Sequence, residues 1–135
     1  MENNKEVKEL YMKAKEAMGR AYAPYSGYQV GAAVLCKSGE IYCGANVENA
    51  SYGATVCAER VAVTKAIYDG HRNFEAIAVC ASGADPAWPC GICRQFIFEF
   101  GDDIIVFTGP DEDHLESVSI SELLPKGFRL KKQDS

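Results

Sequence analysis

Three cysteines and one glutamate are the residues in this chain best suited to chemistry. Cys90 and Cys93 form a spaced pair in Pro89-Cys90-Gly91-Ile92-Cys93, and Cys57 stands far upstream in Cys57-Ala58-Glu59-Arg60. Cysteines at this spacing serve either as zinc ligands or as a redox dithiol. Each segment falls where a helix is expected to begin, and unpaired backbone N–H groups at a helix start lower thiol pKa values and stabilise bound anions. Three thiolates around a tetrahedral ion leave one position open, the feature that separates catalytic from structural zinc. A redox dithiol has no use for Cys57-Ala58-Glu59, whereas a hydrolytic zinc site needs an acid/base group beside its water. The tripeptide alone is compatible with a solvated glutamate. A largely apolar helix around Glu59 argues instead that this carboxylate has a task.

The remaining cysteines, Cys36, Cys43 and Cys80, fall inside expected strands, where a lone cysteine reads as a small buried hydrophobe. They are also the residues that could close the metal site with a fourth sulfur. His71 and His114 lie beside polar residues in expected loops and read as surface histidines.

Several elements must position these groups. Val7, Leu10, Tyr11, Ala14, Met18 and Ala21 recur at helical spacing, predicting an amphipathic first helix that stops before Pro24. Residues 28–37 and 40–46 predict two strands joined by a Ser38-Gly39 turn. A helix is expected over 55–69, capped by Thr55, ended by Gly70 and apolar on most sides, as if buried between layers. A strand over 74–81, a loop over 82–89, a helix over 90–100 and a strand over 103–108 follow. A fifth strand near 115–119 and one helical turn at 121–124 complete the order, and the Lys-rich tail after Leu130 reads as frayed. This succession predicts an α/β domain spanning residues 1–135, with an antiparallel hairpin and parallel pairing where helices cross over.

Composition narrows the function. Apolar residues are 47% and charged residues 24% of 135 residues, the balance of a globular protein. No apolar run is long enough to span a bilayer and the first fifteen residues are highly charged, so a cytoplasmic protein without membrane contact is expected. A net charge of −5 repels phosphate backbones and argues against nucleic acid as a partner. Six cysteines in such a chain point to metal or catalysis rather than disulfides.

The pattern Thr55-Val56-Cys57-Ala58-Glu59-Arg60 followed by Pro89-Cys90-Gly91-Ile92-Cys93-Arg94-Gln95 resembles the small homotetrameric zinc-dependent cytidine deaminases. The likeness extends over residues 22–33 and 44–52, and to Leu123-Leu124-Pro125 with Phe128. It implies a three-layer α/β/α fold with a five-stranded mixed sheet and one Zn2+ per chain on Cys57, Cys90 and Cys93. It also implies hydrolysis at C4 of cytosine by zinc-activated water, with Glu59 shuttling protons. Arg60 would donate to the ligand sulfurs and draw charge from a cluster of net −1. By the same resemblance, Asn46 and Glu48 would grip the ribose, Tyr28 would stack near the pyrimidine and Ala58 would contact the substrate. Tyr52 and Phe128 would reach a neighbouring subunit's pocket, so a homotetramer with shared sites is expected. Tyr28 stands where phenylalanine is common, and Trp88 where a smaller residue is usual.

Rival readings remain at this point. A blasticidin S deaminase would share the metal core, but Asn46-Val47-Glu48 and Glu59-Arg60 favour a nucleoside enzyme. A nucleic-acid editing deaminase would usually carry histidine in place of Cys57 and a basic channel. A non-enzymatic zinc module would fill all four ligand positions.

Overall fold

The computed structural model describes residues 4–133. The elements are α1 (Asn4–Met18), β1 (Val30–Cys36), β2 (Ile41–Ala45), α2 (Ala58–Tyr68), β3 (Phe74–Ala81), α3 (Gly91–Phe98), β4 (Ile105–Thr108), β5 (Glu116–Ser119) and α4 (Ile120–Leu123), with a 3-10 turn at Tyr52–Ala54. The sheet order is β2-β1-β3-β4-β5. β1 is antiparallel to both β2 and β3, β3 and β4 are parallel, and β5 returns antiparallel to β4. β2 and β3 therefore run the same way on either side of β1, joined by the α2 crossover.

The period-two alternation of β1 sorts its side chains onto two cores. Ala32, Val34 and Cys36 join Ala58, Ala62, Val63, Ile77, Ile97 and Val106 under α2 and α3. Ala33 and Leu35 join Leu10, Tyr11, Ala14, Ala78 and Phe107 under α1. The result is the expected three-layer α/β/α arrangement around a five-stranded mixed sheet. Two glycines set its thickness. A Cβ on Gly31 would lie 2.0 Å from the Ala14 carbonyl oxygen of α1, and one on Gly44 would lie 2.5 Å from the Ala62 nitrogen of α2. Helix backbone thus rests directly on strand backbone on both faces.

Four sequence expectations need correction. The first helix ends at Met18 rather than running through Ala21, because Tyr22 is drawn into a bridge with Val47. The α2 cap is Cys57, not Thr55: Thr55 closes the 3-10 turn, and Val56 pairs with Val47 in extended backbone. Nor is α2 buried between layers. It covers one face of the sheet, leaving Thr64 and Lys65 exposed and Tyr68 94% exposed. His71 is not a simple surface residue either, since its ring lies 5.3 Å from that of Tyr42 and its Nε2 lies 3.4 Å from Glu40. Gly70, by contrast, ends α2 with φ +101, the left-handed backbone that favours glycine. Residues 131–133 are exposed and carry no regular structure, and the rest of the tail lies outside the described residues.

Candidate functional site

β2 and β3 point their carboxyl ends to one edge of the sheet, and the helix that follows each strand begins there. Open α/β sheets place ligands at such an edge. Cys57 caps α2 and Cys90 caps α3, both in extended backbone, while Cys93 lies one turn into α3. The three Sγ atoms lie within 4.8 Å of one another. Cys93 is buried, Cys57 half-buried and Cys90 exposed, so the cluster opens on one side. Cys36 and Cys80 are buried and Cys43 is partly buried in their strands, and none belongs to this trio. Three sulfurs at the starts of two helices, with one open flank, fit a zinc ion that keeps a position for solvent.

The thiols already share charge unequally. Cys57 is pushed down to about 5, first by hydrogen bonding from Cys93 and then by Arg60, while Cys93 is pushed up by that same bond and by burial. Arg60 Nη2 donates to Cys57 Sγ at 3.6 Å and to the Thr55 carbonyl at 3.2 Å. Its Nε is buried without a partner among the described residues. A fixed cation therefore faces the sulfurs on their protein side.

Glu59 sits in the first turn of α2, only 4% exposed. Burial raises its pKa from 4.5 to about 7; Cys57 adds to the rise, while its own backbone N–H and Arg60 oppose it. A carboxyl group poised there can accept and return a proton near neutral pH. It faces a cavity of about 230 Å3 lined by Tyr28, Val30, Asn46, Thr55, Cys57, Ala58, Glu59, Val79, Ala87, Trp88 and Cys90.

The other expected site residues divide into two groups. Tyr28, Asn46 and Ala58 line the cavity. The Asn46 side chain also holds the chain entering β1, accepting from Val30 N–H at 2.8 Å and donating to the Tyr28 carbonyl at 2.9 Å. Glu48 stands outside the lining: its carboxylate accepts from Tyr25 N–H at 2.9 Å and Ser26 N–H at 3.1 Å, as well as from the Ser26 hydroxyl. These bonds hold Glu48 below the usual carboxylate range and tie down the loop before β1. Tyr52 is 83% and Phe128 65% exposed, and both stand away from the cavity.

Sequence reasoning missed Val30, Val79 and Ala87 as lining residues. It also missed Thr108, whose buried hydroxyl donates to the Val79 carbonyl at 2.8 Å and accepts from Ala87 N–H at 2.9 Å. A lone threonine ending the apolar run of β4 was the available signal.

This combination of sheet edge, converging helix starts, three sulfurs and a buried carboxyl defines a zinc-thiolate deaminase type of site. Residues 4–108 match the family of the cytidine and deoxycytidylate deaminase zinc-binding region. The chain belongs to that family. It is 45% identical over 125 residues to a cytidine deaminase of Sporosarcina psychrophila, covering 91% of each chain. It is 48% identical over 120 residues to one of Halalkalibacterium halodurans, covering 88% of this chain and 91% of that one. The crystal structure of cytidine deaminase from Burkholderia pseudomallei matches with a TM-score of 0.85 at 42% identity, over 89% of this chain and 97% of that one. That from Mycobacterium tuberculosis matches with a TM-score of 0.81 at 35% identity, over 90% and 96%.

Proposed function

We propose that this chain hydrolyses cytidine and deoxycytidine to uridine and deoxyuridine, consuming one water and releasing one ammonia, as a step of pyrimidine salvage in the cytoplasm. The observation that carries the reading is the three-sulfur cluster opening beside a buried carboxyl group poised near neutrality. Zinc held by Cys57, Cys90 and Cys93 supplies Lewis acidity that makes water acidic near neutral pH. Glu59 takes one proton from water at the open flank of the cluster and delivers it to ring N3 as C4 becomes tetrahedral, then takes the proton of the new C4 hydroxyl and passes it to the departing amine, which leaves as ammonia. Arg60 donates toward the Cys57 sulfur and moderates the anionic charge of three thiolates. Tyr28 offers an aromatic face to the pyrimidine from the cavity wall. Asn46 has one amide hydrogen and one lone pair left after its two backbone bonds, and these serve the ribose. Glu48, bonded to Tyr25 and Ser26, braces the loop before β1 beside this pocket.

The proposal includes a homotetramer with shared sites. Its support is the exposure of Tyr52 and Phe128, together with Tyr25 and Val47, large apolar side chains left uncovered in the single chain. Among the described residues no helix is long and apolar enough to cross a membrane.

The test compares wild type with Glu59→Gln for zinc per chain and for the ultraviolet change on adding cytidine. A variant that keeps its zinc and loses turnover by a hundredfold or more supports the assignment. A variant that still deaminates cytidine refutes it, and turnover surviving Glu59→Gln but lost with Cys90→Ser would indicate thiol chemistry instead.

A further inference from the structure

We infer that Trp88 fixes the substrate range by closing the cavity against substituents at C5 of the pyrimidine. The inference rests on the proposed deamination, which orients the ring: C4 faces the sulfur cluster and N3 faces Glu59 at the start of α2. The neighbour of C4 on the other side is C5, so the C5 edge turns toward the wall formed by the segment entering α3. That wall is Ala87, Trp88 and Cys90.

The indole is held there rather than resting loosely. Ala87 N–H is anchored to the buried Thr108 hydroxyl, itself bonded to the Val79 carbonyl of β3. Pro89 on the other side is fully buried, and Trp88 packs against the core beneath α2 and α3. With both neighbours fixed, the ring cannot retreat without breaking core packing, and native interiors yield little to an added methyl group. A pyrimidine with hydrogen at C5 is therefore the ring admitted.

The experiment measures kcat/KM for cytidine and for 5-methylcytidine with wild type, Trp88→Phe and Trp88→Ser. One methyl group in an apolar pocket is worth about 10-fold or more in discrimination. The 5-methylcytidine-to-cytidine ratio should rise by about that factor in Trp88→Ser, with Trp88→Phe between. A ratio that stays constant while both rates and the melting temperature fall would make Trp88 a core plug and overturn the inference. Absence of cytidine turnover in wild type would instead overturn the deaminase reading itself. A second measurement does not depend on the variants folding: Trp88 is the only tryptophan in the chain, so its emission reports on the pocket directly. Uridine that competes with cytidine should quench that emission saturably in the zinc-loaded wild type. Competition without any change in emission would refute contact between indole and ring.

Discussion

Replacing Glu59 with glutamine should stabilise the metal-free chain in a pH-dependent way. Glu59 is 4% exposed, and burial raises its pKa from 4.5 to about 7. The folded chain thus binds this proton more tightly than the unfolded chain does. Its contribution to stability is complete below the unfolded value, declines as pH rises, and is gone above the folded value. At 1.36 kcal/mol for each pH unit between those two values, ionised Glu59 costs the folded state on the order of 3 kcal/mol. Glutamine keeps the shape and carries no charge. Urea denaturation of chelator-treated wild type and Glu59→Gln should give similar stabilities near pH ~4, with the variant gaining up to ~3 kcal/mol by pH ~8. Parallel curves with a constant separation across that range would show that the carboxylate is not penalised by burial, and the argument for a proton carrier poised near neutrality would fail with it.

Three further outcomes follow from the same geometry. Gly44→Ala should cost roughly 1–3 kcal/mol in urea denaturation and reduce zinc retention, because its Cβ meets the α2 backbone that carries Cys57 and Glu59, whereas Gly53→Ala meets no atom within 4 Å and serves as control. Arg60→Ala should keep the fold by circular dichroism but lose zinc faster to a chelator or turn over more slowly; unchanged zinc content and turnover would remove its electrostatic role. In the metal-stripped chain at mildly acidic pH, Cys57 should be the first cysteine alkylated by iodoacetamide in peptide mass mapping, since its thiol is pushed down to about 5, and zinc should protect it.

Much of the site was legible because its chemistry is local in sequence. The Cys90–Cys93 pair and the Cys57–Glu59 tripeptide each lie within one helical turn, so spacing alone places their members together. The bounds of β3 were equally plain, since Phe74–Ala81 is an apolar run broken only by Glu75 and flanked by turn residues. What stayed hidden depends on distant partners. Thr55 looks like a helix cap until Val56 is seen to be held by Val47 across the chain. Glu48 is expected to grip ribose, yet its carboxylate is taken up by Tyr25 and Ser26, more than twenty residues earlier. The apolar character of α2 suggested full burial, but its inner face needs only alanines to sit on Gly44, and the outer residues contribute little to that contact.

Why the two cysteine segments meet at all is answered by topology rather than by any bond between them. β2 and β3 are both antiparallel to β1 and so end at the same edge, separated by one strand. α2 follows β2 and α3 follows β3 on the same face, so two helix starts, each with unpaired N–H groups and partial positive charge, arrive side by side. Anionic sulfurs are the groups best tolerated at that point, and Arg60 adds a full positive charge behind them. The excess negative charge of three thiolates is thus met by features that the fold would possess even without a metal. A substitution that leaves every ligand in place but moves one helix start, such as a side chain at Gly44, should therefore damage the site as surely as the loss of a ligand.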